Sequence, residues 1–275
     1  PASQKPKGPM PRSAPGEVGA FISNTGQIDG SVLASTSAVS FSNAGTWNLR
    51  SFADNDGDGV RDTWAVARSN LGTSGANSIA NTGTISLVAQ PSSGIGTFDA
   101  AGAYLPMGMA ANAPALGGPV QAQILGVNTF TNAGLIDLTG GGRVVGNVLV
   151  IGGGQAAGVN GGGVFVSNGG RMKVNTVLDA GGPGSHSDML VVDSTRTGAG
   201  GATRIQVNNI GGAGALTTGN GIAVVELLDK SAPASDANAF ALDGRAVAGG
   251  YEYRLLRGRA DGASGVAGYL GWELA

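Results

Sequence analysis

An Asn, a small residue and a Gly, set between alternating apolar residues, recur five times in this chain. The copies read Ile22-Ser-Asn24-Thr-Gly26-Gln-Ile28, Phe41-Ser-Asn43-Ala-Gly45-Thr-Trp47, Ile79-Ala-Asn81-Thr-Gly83-Thr-Ile85, Phe130-Thr-Asn132-Ala-Gly134-Leu-Ile136 and Val166-Ser-Asn168-Gly-Gly170-Arg-Met172. Two residues before each Asn and four after it the chain is apolar, and the next position is polar: Asp29, Asn48, Ser86, Asp137, Lys173. Four copies then return to an apolar residue, Leu49, Leu87, Leu138 and Val174, the period-2 pattern of a strand with one buried face. Each copy therefore reads as strand, turn and strand. Asn and Gly tolerate left-handed backbone angles, which predicts the turn at Asn-x-Gly.

The Asn-to-Asn intervals are 19, 38, 51 and 36 residues, so the first fits twice into the second and nearly twice into the fourth. That spacing suggests rungs of about 19 residues and a stacked solenoid. Because the repeats share a turn phrase and do not alternate in direction, an all-β, right-handed parallel β-helix is expected over a set of hairpin meanders. Roughly ten to thirteen such coils, stacked about 4.8 Å apart, predict a rod on the order of 50 to 60 Å long.

The chain has 51 Gly and 11 Pro in 275 residues, 41% apolar and only 12% charged residues, a composition suited to tight turns and small outward side chains and not to disorder. A formal charge of -2 supplies no basic field for nucleic acid or an anionic membrane, so no nucleic-acid partner is expected. Cysteine is absent, which excludes disulfide frameworks and Cys-based zinc sites. With neither a leader pattern nor an initiator Met, the sequence reads as an internal piece of a longer chain.

Residues 1–17 hold five prolines without apolar period and read as a linker. Residues 18–178 carry the rungs, interrupted by loops at 52–64 and 92–120. In the first loop Asp54, Asp56, Asp58 and Asp62 stand at positions 1, 3, 5 and 9, with Gly59 at 6 and Val60 at 7. They resemble the calcium loops of EF-hand, dockerin and thrombospondin type 3 repeats. Alternate carboxylates converge on one hard cation, the Gly permits the sharp bend, and the carbonyl of Val60 adds an oxygen. Ala65 stands where an EF-hand has its bidentate Glu, so structural calcium of modest affinity is expected. The second loop loses alternation and clusters Tyr104, Leu105, Met107 and Met109, a place for partner contact or for packing on the wall. The glycine runs Gly152–Gly154 and Gly161–Gly163 precede neither a helix pattern nor Gly-Lys-Ser/Thr, so they read as turns between rungs and not as phosphate loops.

From about Asp179 the segments Gly184-Ser-His-Ser-Asp188-Met-Leu-Val-Val-Asp193, Gly201-Ala-Thr-Arg204-Ile-Gln-Val-Asn208, Gly219-Asn-Gly221-Ile-Ala-Val-Val-Glu226 and Ala248-Gly-Gly-Tyr251-Glu-Tyr253-Arg-Leu255 resemble the pertactin-like C-terminal passenger region of bacterial type V autotransporters, the autochaperone. The resemblance covers 179–275. It implies a passenger exported through the periplasm, carried across the outer membrane by its own β-barrel translocator, and folded at the cell surface from its C-terminal end. Tyr251, Tyr253 and Leu255 on one strand and Tyr269 to Leu274 on another, across a Gly-rich loop, predict a hairpin that caps the solenoid.

His186 is the only histidine and lies beside Ser185, Ser187 and Asp188. No Gly-x-Ser-x-Gly elbow accompanies it, and the family's strand-turn pattern accounts for the stretch. Asp29 and Asp137 share the outward repeat position and would interest a polysaccharide-cleaving enzyme only as close neighbours. The expected function is a non-catalytic, monomeric β-helical stalk with adhesin- or virulence-type loops for a host or cell-surface ligand. An enzyme acting on polysaccharide is the alternative.

Overall fold

The computed structural model describes residues 19–34, 37–50, 52–53, 63–64, 66–88, 96–98, 104–106, 119–141, 145–182, 185–217, 221–229, 235–258 and 271–275. Within them the alternating phrases become strands of a parallel β-helix. A first sheet stacks Ala20–Asn24, Val39–Asn43, Ser78–Asn81, Thr129–Asn132, Val164–Ser167 and Ser194–Thr197. A second stacks Gln27–Asp29, Thr46–Arg50, Thr84–Val88, Leu135–Asp137, Arg171–Thr176, Thr203–Asn209 and Phe240–Leu242. The third stacks Ala67–Asn70, Gln121–Leu125, Val148–Ile151, Met189–Val192 and Ile222–Leu227, and Leu33 of the first coil bridges to its outer edge at Asn70. Among the described residues the chain visits the three sheets in turn, making six coils and the second-sheet strand of a seventh.

One coil, not two, fills each Asn-to-Asn interval. The 19-residue coil is the bare minimum, and the longer ones carry loops at their corners. Seven strands in the second sheet give a stack of about 30 Å at about 4.8 Å per step, shorter than the coil count expected from the sequence. The loops around 52–64 and 92–120 leave the same corner, second sheet to third, on successive coils.

The inward positions form files along the axis. Ile22, Phe41, Ile79, Phe130 and Phe165 stand in register in the first sheet, and Ile28, Trp47, Ile85, Ile136, Met172, Ile205 and Leu242 in the second. Phe130 stacks on Phe165 at 5.4 Å and Phe165 on Phe240 at 5.5 Å, so apolar burial runs unbroken from coil to coil. Each such ring contributes about 1.5–3 kcal/mol.

The repeated Asn and Gly act differently from the turn chemistry expected of them. No described non-glycine residue has positive φ, and Gly26, Gly45, Gly83 and Gly134 do not either. The Asn side chains form a buried ladder: Asn24 Nδ2 donates to Asn43 Oδ1 (2.7 Å), Asn43 Nδ2 to Asn81 Oδ1 (2.8 Å) and Asn81 Nδ2 to Asn132 Oδ1 (2.9 Å). The glycines form a second column beside it. A Cβ on Gly45 would overlap the carbonyl of Gly26, one on Gly83 that of Gly45, and one on Gly134 that of Gly83. Those carbonyls accept from Thr46, Thr84 and Leu135 of the next coil at 2.8 Å, so stacking distance, not turn conformation, demands glycine.

The fifth phrase departs from this register. Ser167, not Asn168, pairs with Asn132, and Phe165, not Val166, points inward opposite Phe130. The turn is one residue longer, and Gly169 absorbs the extra residue at φ 79°. The cap also differs in detail. Tyr251–Tyr253 pairs antiparallel with Ala246–Ala248, while Leu255–Arg257 pairs with Gly271–Leu274, which in turn runs antiparallel to Ile222–Leu227. The strand expected from Tyr251 to Leu255 is thus divided at Arg254, whose backbone bonds Ala275 in both directions.

Candidate functional site

Two carboxylates in the strand-forming run Asp188-Met-Leu-Val-Val-Asp193 are buried at the corners of the C-terminal coils. Asp188 precedes the strand Met189–Val192. Its Oδ1 accepts from the backbone N–H and side-chain amide of Asn147, at 3.0 and 2.9 Å, and its Oδ2 from the N–H of Asn175 at 2.7 Å. Burial pushes this carboxyl up to about 7, against the downward pull of those donors. Asp193 follows the same strand. Its Oδ2 accepts from Gly153 and Gly163 at 2.8 Å and from Gly161 at 3.2 Å. The two glycine runs are therefore the walls of a loop closed around a carboxylate of the next coil, and Gly152 leaves room for it: a Cβ there would meet Asp193 Oδ1 at 2.9 Å. They are turns between coils, as expected, but closed around a side-chain carboxyl.

At the end of the solenoid Tyr253 is only 2% exposed. Its hydroxyl accepts from Ala215 N–H at 2.9 Å and lies 2.9 Å from the carbonyl of Asp179 and 3.0 Å from that of Ala215. One phenol ties the cap to two corner loops of earlier coils. A cavity of about 340 Å³ opens between Phe240–Leu242 and the segment Glu252–Leu255, with the Arg245–Glu252 ion pair (2.7 Å) among its lining residues.

The residues singled out in the sequence fall as follows. Asp54, Asp56, Asp58, Val60 and Asp62 lie outside the described residues. Their flanks Phe52–Ala53 and Thr63–Trp64 pair antiparallel, which brings the loop's two ends side by side. Of the apolar loop, Gly96–Phe98 and Tyr104–Pro106 pair antiparallel, and Met107 and Met109 lie outside the described residues. His186 is exposed, while Ser187 bonds Thr176 at 2.9 Å and Asp188 is engaged with Asn147 and Asn175, so these three form no catalytic relay.

Asp29 and Asp137 share one file of the second sheet, separated by Asn48 and Ser86. Three strand steps put them about 14 Å apart, beyond the roughly 5–9.5 Å of paired glycosidase carboxylates. Asp29 is engaged otherwise. Its partial burial is outweighed by bonds from Asn48 (2.7 Å), Gln27 (2.8 Å) and Arg50 (2.9 Å), which hold its carboxyl below the usual range.

Residue type and apolar period alone do not single out Asp188 and Asp193 for these roles. A signal exists in the alignment of corners: Asn77, Asn128, Asn147 and Asp188 each stand immediately before an inward-alternating strand. Comparison with known families finds that residues 148–255 match Autochaperone Domain Type 1, the span holding both carboxylates and Tyr253. Among curated proteins, an uncharacterized protein of Escherichia coli (strain K12), YuaQ, is 37% identical over 132 residues, which is 48% of this chain. The chain spans only 8% of the length of that relative.

Proposed function

We propose that this chain is a non-catalytic β-helical stalk whose last coils promote passenger folding during outer-membrane secretion, because residues 148–255 match an autochaperone domain, the C-terminal region of a type V autotransporter passenger. The domain type itself is non-catalytic, and its family implies secretion to the cell surface. The observation that carries the reading is the concentration of closing devices within or beside the matched span: buried Asp188 and Asp193, the Tyr253 tie and the antiparallel cap. A solenoid end left uncovered exposes core and invites edge pairing, so a region that closes itself is suited to fold first and to seed the rest. Removing residues 179–275 should leave the earlier coils slow to fold or prone to aggregate, and normal refolding of that truncation overturns the proposal.

The loops at the second-to-third corner are the proposed contact elements for a host or cell-surface ligand, with a monomeric stalk holding them out and the chain's own outer-membrane β-barrel as translocator. Adhesin-type and virulence-type roles belong to this proposal. So does structural calcium at Asp54, Asp56, Asp58, Val60 and Asp62, which the paired flanks of that loop support by closing its base. A calcium-dependent rise in melting temperature, abolished by chelator and by a double Asp56→Ala, Asp58→Ala change, is the expected result. No shift at millimolar calcium removes the ion from the proposal.

A further inference from the structure

The side chains that satisfy corner amides have a direction. Val32 N–H donates to Ser69 Oγ (3.0 Å), Val39 N–H to Asn77 Oδ1 (2.9 Å), and Asn77 N–H to Asn128 Oδ1 (2.9 Å). Val120 N–H donates to Asn147 Oδ1 (2.8 Å), Asn147 N–H to Asp188 Oδ1 (3.0 Å), and Leu178 N–H to Asn209 Oδ1 (3.2 Å). Thr195 N–H donates to Ser235 Oγ (3.1 Å), and Gly153 and Gly163 to Asp193 Oδ2. In every one of these the backbone donor belongs to one coil or its corner and the side-chain oxygen to the coil that follows it in sequence. The Asn ladder has the same polarity, each Nδ2 reaching toward the next coil's Oδ1. Among the described backbone donors one bond runs the other way, from the exposed Gly200 N–H to Asn168 Oδ1, and two side-chain amides reach back, Asn48 Nδ2 to Asp29 Oδ1 and Asn208 Nδ2 to Asn175 Oδ1.

We infer that this column of corner oxygens makes the solenoid a one-way template, on which each coil docks by its backbone N–H groups against acceptors already aimed by the coil after it. The inference rests on the C-terminal region folding first, and supplies the groups by which it captures what precedes it. Three of these acceptors, Asp188, Asn77 and Asn209, are held by groups of their own coil. Asn175 N–H fixes Asp188 Oδ2, and Asn77 is held through its Nδ2 by the carbonyl of Gly126 at the end of its own coil (2.8 Å) as well as by those of Leu71 and Gly72 at the end of the coil before. Asn209 is held by Gly212, whose carbonyl accepts its Nδ2 at 2.7 Å and whose N–H donates to its Oδ1. A coil arriving from the N-terminal side therefore brings the donors, corner N–H groups and the Nδ2 groups of the ladder asparagines, to acceptor oxygens of the coil after it. A coil arriving from the other side would have to order each side chain as it docked, and that lost rotamer freedom opposes it. A buried N–H left without an acceptor is also among the rarest defects of native proteins, so each acceptor acts as a check on the coil before it.

The test is refolding of the full chain followed by pulsed hydrogen exchange, read as peptides along the sequence, for the wild type, Asn77→Ala and Ser235→Ala. In the wild type protection should appear first in 203–258 and last in 20–50. Asn77→Ala should slow protection of residues before 77 by about tenfold and leave the later coils at the wild-type rate. Ser235→Ala should move the boundary of the delay to about residue 195. A delay shared equally by all segments, global unfolding of Asn77→Ala, or a delay on the C-terminal side of either change overturns the one-way template. If protection appears last in 203–258 of the wild type, the proposal that the C-terminal region seeds folding fails as well. If it appears first there but the variants show no moving boundary, only the template inference fails.

Discussion

The first and last described coils of the solenoid present their outer edges differently. At the N-terminal end Ala20–Asn24 and Gln27–Asp29 each pair on one side only among the described residues. Ile22 and Ile28 point inward yet are half-buried, and Phe21 and Leu33 are 87% and 72% exposed. At the other end the last parallel strand of the third sheet is covered by two antiparallel ones, Leu274 is buried, and Tyr253 pins the cap to Asp179 and Ala215. A parallel coil offers its neighbour an identical edge and so never terminates itself. Termination needs a reversal of strand direction, and among the described residues the C-terminal end has it.

The largest expected effect comes from breaking the closed end. Tyr253→Ala removes a buried ring and its hydrogen bonds and should cost about 3–5 kcal/mol in chemical denaturation. Phe21→Ala at the open end should change stability by less than about 0.5 kcal/mol. Equal losses would mean that the two ends are equally closed.

Within the stack, Gly83→Ala forces a Cβ into the Gly45 carbonyl and should cost about 1–3 kcal/mol. At the open end a methyl group on Gly26 would meet nothing within 4 Å, so Gly26→Ala should be nearly neutral by the same denaturation assay.

A pH-dependent effect separates the corner of Asp188 from the neutral Asn corners. The unfolded chain releases the Asp188 proton near 3.8, whereas the folded chain keeps it up to about 7. The folded state therefore binds more protons between those values. This group's contribution is most favourable at the acidic side of that window, declines as pH rises through it, and levels above about 7. The difference in urea midpoint between wild type and Asp188→Asn, followed across that window, should carry this slope. A difference independent of pH refutes the shifted carboxyl. Smallest of all, Arg245→Ala removes an exposed ion pair with Glu252 at the cap and should leave the melting temperature unchanged.

Much of the fold was legible because inward residues advertise themselves by period. Phe41, Ile79, Phe130, Trp47, Ile85 and Ile136 all face the core as their alternation predicts. Register at the fifth phrase was not legible. Two glycines in Asn168-Gly169-Gly170 preserve the look of the phrase while lengthening the turn, and Val166 is as apolar as Phe165, which takes the inward place. The coil count failed because an interval that divides evenly by 19 says nothing of whether the surplus is a rung or a loop. The cap's aromatic content was visible, but not its division at Arg254, since period 2 continues through a change of partner. Asp188 and Asp193 were hidden for a different reason: a carboxylate reads as solvated surface until the fold shows which amides surround it.

The glycine column has a consequence for how such a rod diversifies. Where Gly45, Gly83 and Gly134 stack carbonyl to Cα, even a methyl group must lift the coil beside it, so along these coils that edge admits no side chain. At the second-to-third corner a loop need only return its two ends to neighbouring positions, as the paired flanks of 52–64 do. Novelty around the circumference of the earlier coils is therefore rationed by angle and not by amount: from Gly26 to Gly134 one meridian is held bare while another can grow without disturbing the stack.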